Sequence, residues 1–336
     1  MSSVIRSQET RRKASAALRI LGVAAAYYGA GEIGLLRRVT IHGATVTPLW
    51  PSTGIAVGCL LYLGIGIWPG ITLGSLVSSA TLADSLTLSD FGIVAGNTLA
   101  PVCSYLMLRR FGFRIELDRL RDGVVLVFLG ALAGMLISAT VGTVLFVLDG
   151  KLPVRHFWPV WAAYWAGDAM GVLVVTPVLL VLRKARLPRA GDRWLEATAL
   201  AVASVAIGLL ATRSELSLFY LVFPLLIWAA LRFQLAGSAP VALLVSVLAV
   251  LSATEGVGPF AGHTLLEVML NLAIFNGSVA LTALLLAAIV TESMNVRRRI
   301  EQACDDLAEV VDQLAPGRSA AAWPSRYEHR RNSHGP

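Results

Sequence analysis

Charge is scarce in this chain. Only 15% of its 336 residues are Asp, Glu, Lys or Arg, while 56% are apolar. A soluble domain carries about 25% charged residues, so an ordinary soluble fold is excluded. Cysteine is scarcer still. Cys59, Cys103 and Cys304 stand far apart, in neither a disulfide framework nor a metal-ligand spacing. No metal and no cofactor are expected. The groupings of catalysis are also missing. No nucleophile stands beside a base, and His42, His156 and His263 fall in separate loops. The chain is therefore not expected to be an enzyme. A net charge of +7 would suggest nucleic acid in a soluble protein. Here the basic residues gather in short segments between apolar runs, where they set membrane orientation instead.

Long apolar runs are what the sequence has in abundance, at a mean hydropathy of +0.70. Ten of them, at 19–36, 49–66, 68–83, 91–108, 123–147, 158–182, 194–211, 217–231, 237–254 and 264–291, predict an all-α fold. That fold is a polytopic transmembrane helix bundle of eight to ten spans with a short cytoplasmic helix at the C-terminal end. A helix needs about 20 residues to cross the hydrocarbon, so the third and eighth runs read as half-spans or re-entrant segments. The first run follows a basic stretch without a convincing cleavage site, so it reads as an uncleaved span. Nineteen Lys and Arg fall on one side and five on the other, which predicts cytoplasmic termini. The expected organisation is a basic N-tail (1–18), a transmembrane domain (19–291), a cytoplasmic helix (292–315) and a disordered basic tail (316–336).

One run carries the chemistry. In FWPVWAAYWAGDAMGVLVVT (157–176), Trp158, Trp161, Trp165 and Asp168 follow at spacings of three, four and three, so they share one helical face. An ionised Asp at the bilayer centre costs about 2.5–3.5 kcal/mol on insertion scales, so Asp168 is expected to face the bundle interior. It has two readings, a binding or switch group and a plain interhelical hydrogen bond. Gly167 and Gly171 flank it and would let a neighbour approach closely. Gly-x-x-x-Gly occurs at 54/58, 70/74, 130/134 and 167/171. Chance with 30 glycines gives roughly three such pairs, so their number decides nothing.

Counted from the outer boundary, Asn97 lies about 9 Å deep and Asp168 about 15 Å deep. Glu32, Ser138, Thr140, Glu267, Asn271 and Asn276 also fall in outer halves. Two readings stay open: an outward polar cavity around Trp165, Asp168, Asn97 and Asn271, or scattered interhelical hydrogen bonds. After the last span, Val296, Ile300, Ala303, Leu307, Val310 and Leu314 alternate at four and three residues. That is the seam of a short parallel coiled coil, predicting a homodimer, with an amphipathic surface helix as the alternative.

Several blocks in this order resemble the MASE1 family of bacterial integral-membrane sensory domains, over about residues 17–291. They are WPSTGIAVGCLLYLGIGIWPGITLGS (50–75), GNTLAPVCSYLMLRR (96–110), FWPVWAAYWAGDAMGVLVVTPVLL (157–180), FPLLIWAALRFQLAGSAPVALLVSVLAV (223–250) and GVGPF (256–260). The chain departs from the family at Ala100, where the GNT block often carries an acidic residue. The resemblance implies a sensor in a bacterial inner membrane, relaying a signal through the bilayer it sits in. Family members usually precede a kinase, diguanylate cyclase or phosphodiesterase. The residues after 291 carry no such motif, so a separate cytoplasmic partner of one of these kinds is expected. Trp50, Pro51 and Gly54 are expected to form a cavity wall near the outer surface. A small-solute transporter is the alternative function, since many spans, a midplane carboxylate and short helices also fit that class.

Overall fold

The computed structural model describes residues 2–41, 44–82, 86–184, 194–214 and 218–314. It divides into two units, Met1–Val290 and Thr291–Pro336. Among the described residues twelve α-helices run in chain order. The first four are α1 (Ser2–Leu35), α2 (Pro51–Leu63), α3 (Trp68–Leu82) and α4 (Leu88–Arg110). Next come α5 (Leu120–Val125), α6 (Leu136–Leu148), α7 (Phe157–Met170) and α8 (Thr176–Lys184). The last are α9 (Trp194–Arg213), α10 (Val222–Phe233), α11 (Leu235–Glu255) and α12 (Leu265–Leu314). π-Helical segments, Leu126–Ala133 and Gly171–Val175, join α5 to α6 and α7 to α8. The fold is the expected all-α polytopic bundle. Seven helices among the described residues are long and apolar enough to cross a membrane. The basic segment before residue 19 is helical and continuous with the first apolar run.

Two apolar helices are shorter, Pro51–Leu63 and Phe219–Phe233. The half-length elements are thus the second and eighth runs, whereas the sequence pointed to the third and eighth. The reason is Gly64. Its φ of +81° ends α2 early, and the turn Ile65–Ile67 then joins the third run, giving Ile65–Leu82. α10 is also cut by a left-handed residue, Gln234 at φ +51°. At 13 residues, α2 is about 20 Å long and cannot cross alone. It survives because protein surrounds it, with Ser52, Thr53, Ala56, Val57, Leu60 and Leu61 all buried.

A β-hairpin precedes α2, in a stretch whose sequence predicts only a loop between spans. β1 (Val39–Ile41) pairs antiparallel with β2 (Ala44–Val46), placing Val39 opposite Val46 and Thr40 opposite Thr45. Its β-branched residues were the available signal. Past β2 the chain runs extended into the bundle alongside α7, and Trp50 N–H donates to the Gly167 carbonyl at 3.0 Å. Gly167 is ten residues into α7, about 15 Å along its axis. Trp50, Pro51 and Gly54 therefore do not form a wall near the surface. They sit at the depth of Asp168, because the hairpin and the extended strand use up the outer half of that pass.

The glycines make this insertion fit. A Cβ on Gly167 would strike the Thr47 carbonyl, one on Gly171 the Trp50 carbonyl, and one on Gly54 the Gly171 carbonyl. Gly70 and Gly74 similarly rest on the Ile20 and Ala24 carbonyls of α1. Hydroxyls then satisfy the main chain. Thr53 Oγ1 lies 2.8 Å from the Trp50 carbonyl and 2.9 Å from the Asp168 carbonyl. Thr176 Oγ1 donates to the Gly54 carbonyl at 3.0 Å.

In the second unit, the described residues are helical to Leu314. Val296, Ile300, Ala303, Leu307 and Val310 are all exposed on the single chain, and Arg297 pairs with Glu301 one turn on, at 3.0 Å. The side chain of Leu314 and the 316–336 segment lie outside the described residues.

Gly171→Ala is expected to destabilise the bundle by about 1–3 kcal/mol, because the obstructing atom is backbone. Gly22→Ala, with nothing within 4 Å of its Cβ position, is expected to leave stability unchanged or slightly raised. Thermal unfolding of the detergent-solubilised protein checks both.

Candidate functional site

The hairpin, the ends of α1, α3 and α6 and the start of α4 surround the mouth of a cavity of about 320 Å³. Its inner wall is Asp168, Asn97, Trp50, Ser75, Ser78 and Tyr164. Arg38 and Lys151, both exposed, and Asp90 stand nearer the mouth.

Asp168 is 2% exposed. Ser138 of α6 donates to its Oδ2 at 2.5 Å. Its Oδ1 accepts no hydrogen bond among the described residues, and the side chain lines the cavity. No Lys, Arg or His pairs with it among the described residues. The carboxylate is thus held from one side only and open to the cavity on the other.

Of the residues sharing its helical face, Trp161 and Trp165 turn to the α5–α6 pass, while Trp158 is exposed. Trp161 Nε1 donates to Thr140 Oγ1 at 3.1 Å, and Trp165 Nε1 to the Leu132 carbonyl at 2.8 Å. The two indoles stack at 5.9 Å between centroids, inclined by 12°. Leu132 belongs to the π-helical segment, where widened turns disturb the i→i−4 ladder, so the indole satisfies a carbonyl at that break. Ser104 does the same for Gly130, at 2.8 Å. Trp165 is therefore a brace behind Asp168, outside the cavity where the sequence had placed it. Its size is what misled, since a deep Trp reads equally as wall or brace.

Asn97 joins three helices at the inner wall. Its Nδ2 donates to Ser75 Oγ at 3.3 Å, and Tyr164 Oη donates to its Oδ1 at 3.3 Å. Ser78 is buried, with its hydroxyl unpartnered among the described residues. Asn271 does not join this group: it is exposed on α12 and does not line the cavity. Asn276 is fully buried but also outside it, and Glu267 caps α12 through Thr264, with contacts of 2.8 and 2.9 Å. Sequence reasoning missed Ser75, Ser78, Tyr164, Arg38 and Lys151. Tyr164 stands one turn before Asp168, and Ser75 and Ser78 one turn apart, so helical spacing from a known site residue was the signal to follow.

The rim is tied together outside the spans. Asp149 accepts from Ser89 and pairs with Lys151 at 3.1 Å. The Ser89 hydroxyl, with the Lys151 ammonium, holds its carboxyl below the ordinary carboxylate range. Asp90 closes a capping box with Thr87 at the start of α4.

The geometry gathers residues from three separate sequence blocks: Trp50 and Ser75 from 50–75, Asn97 from 96–110, Tyr164 and Asp168 from 157–180. A family model for MASE1 matches residues 20–294. The chain belongs to the MASE1 family. MASE1 is a family of membrane-associated sensory domains, so this is a multi-pass membrane protein with a sensory role. No curated protein and no solved structure matches the chain. In this MASE1 domain the blocks at 50–75 and 157–180 are in direct backbone contact, and the cavity lies beside that contact.

Trp165→Phe is expected to leave the Leu132 carbonyl unpaired and cost about 1–3 kcal/mol. Thermal unfolding against wild type checks it, and an unchanged midpoint would show that the bond contributes nothing.

Proposed function

We propose that this MASE1 domain detects a small-molecule stimulus in the cavity beside Asp168 and relays it to a cytoplasmic signalling module. The observation that carries the reading is the cavity's construction. Three of the five sequence blocks that mark the family converge on it, and its inner wall holds an intramembrane carboxylate without a countercharge among the described residues. Intramembrane ionisable groups are expensive and are kept where they serve binding or switching. The excess of Lys and Arg on the opposite side supports a cavity that opens outward, with both termini cytoplasmic in a bacterial inner membrane.

The relay runs through backbone. Asp168 sits three residues before the π-helical segment Gly171–Val175, against which α2 is seated. π-Segments are local irregularities that recur at functional sites. A ligand that pulls on the Asp168 side chain changes how Gly167–Gly171 seats on residues 47–54. The output is α12 beyond Thr291. Its exposed seam, Val296, Ile300, Ala303, Leu307 and Val310, continued by Leu314 in sequence, fits a second copy of this chain in a parallel coiled coil. A kinase, diguanylate cyclase or phosphodiesterase reads that pairing.

The test uses Cys304, which is exposed and flanks the seam, with Cys59 and Cys103 replaced by Ser. A bifunctional maleimide added to membranes is expected to give a cross-linked dimer, and Leu307→Asp to abolish it. Asp168→Asn is expected to change the yield. A monomer band in every case contradicts the dimer relay. A dimer insensitive to Asp168 contradicts the coupling.

A further inference from the structure

The cavity also indicates what kind of molecule it takes. We infer that the ligand is a small zwitterion, with an ammonium group at Asp168 and a carboxylate or phosphate at Arg38. This rests on the cavity being the stimulus site.

The inner end argues for an ammonium. Asp168 is buried, and among the described residues only one of its carboxylate oxygens has a hydrogen-bond donor, Ser138. A carboxylate buried without a countercharge is unfavourable by several kcal/mol before relaxation, and no basic side chain of the described protein supplies one. The surrounding groups suit a compact cation. Trp50 and Tyr164 line the same cavity as Asp168, and aromatic side chains attract ammonium groups.

The mouth argues for the second charge. Lys151 is engaged with Asp149 at 3.1 Å, and Asp90 is committed to its capping box. Arg38 lines the same cavity and makes no ion pair among the described residues. Its fork matches a carboxylate or phosphate in two parallel hydrogen bonds. A simple organic anion would leave Asp168 uncompensated, and a simple amine would leave Arg38 idle. A molecule bearing both charges answers both ends.

Two sources share this chemistry: a water-soluble amino acid-like compound and the headgroup of an aminophospholipid. The experiment uses full-length protein in dodecyl maltoside, with binding followed by tryptophan fluorescence and calorimetry. The probes are 4-aminobutanoate and O-phosphoethanolamine, the half-molecules butylamine and butanoate, and the neutral polyol glycerol. At least one zwitterion is expected to bind about tenfold or more tighter than either half-molecule, the scale of one charge-assisted hydrogen bond. Asp168→Asn is expected to bring its affinity down to that of butanoate. Arg38→Gln, at an exposed rim position that leaves folding intact, is expected to bring it down to that of butylamine. If both soluble zwitterions fail in detergent but Arg38-dependent binding appears in nanodiscs containing phosphatidylethanolamine and not in phosphatidylcholine, the lipid headgroup is the source. Half-molecules binding as well as the zwitterions, or zwitterion affinity unmoved by both substitutions, overturns the inference. Glycerol or butanoate binding lost in Asn97→Ala would overturn the zwitterion and keep the cavity as the stimulus site. No probe binding under any condition, with Cys304 cross-linking insensitive to Asp168→Asn, would remove both readings.

Discussion

The structure depends on one close backbone contact. Residues 47–54 descend into the bundle and lie against Gly167–Gly171 with no side chain between them. Such an approach is open only to glycine on at least one side. It also brings polar main chain into the apolar interior, where each unsatisfied group costs several kcal/mol. Thr53, Thr176 and the Trp50 amide settle that cost with bonds to the Trp50, Asp168, Gly54 and Gly167 carbonyls. The short α2 and the cavity above it are consequences. An element that starts at mid-depth leaves the outer half of its pass to a hairpin and an extended strand, and non-helical backbone at that depth is tolerated where protein or a cavity covers it.

That arrangement explains why so much polarity collects in one place. Ser75 and Ser78 on α3, Asn97 on α4, and Tyr164 and Asp168 on α7 come together around the cavity the descending strand leaves. Behind Asp168, the indoles of Trp161 and Trp165 tie α7 to the pass carrying Ser138. The carboxylate is therefore positioned by a rigid stack and faces the cavity. Rigid support on one side and an open face on the other is what a binding or switching group requires.

Much of this was legible in the sequence. The spacing of Trp158, Trp161, Trp165 and Asp168 put them on one face, and the partners of Trp161, Trp165 and Asp168 all lie between Leu132 and Thr140. Placing Asn97 and Asp168 by depth put both in the outer half of the bundle, and they line one cavity. Depth counting failed where a pass is not a straight helix. Trp50 was assigned to the surface because an apolar run was read as a full span, and only the hairpin and Gly64 show otherwise. Asn271 was included because depth says nothing of azimuth, and its side of α12 is exposed. The glycine pairs were undecidable by number. Their meaning lies in the carbonyls they meet, which sequence cannot display.

The central claim is that the space beside Asp168 is reached from the outer side of the membrane. Thiol labelling tests it most directly. Asn97→Cys and Ser78→Cys, in a background without the native cysteines, would be exposed to a membrane-impermeant maleimide in right-side-out and inside-out vesicles. The account predicts labelling of both in right-side-out vesicles only, with Trp165→Cys unlabelled in either. Labelling of the first two from the inside, or of none from either side, would contradict it.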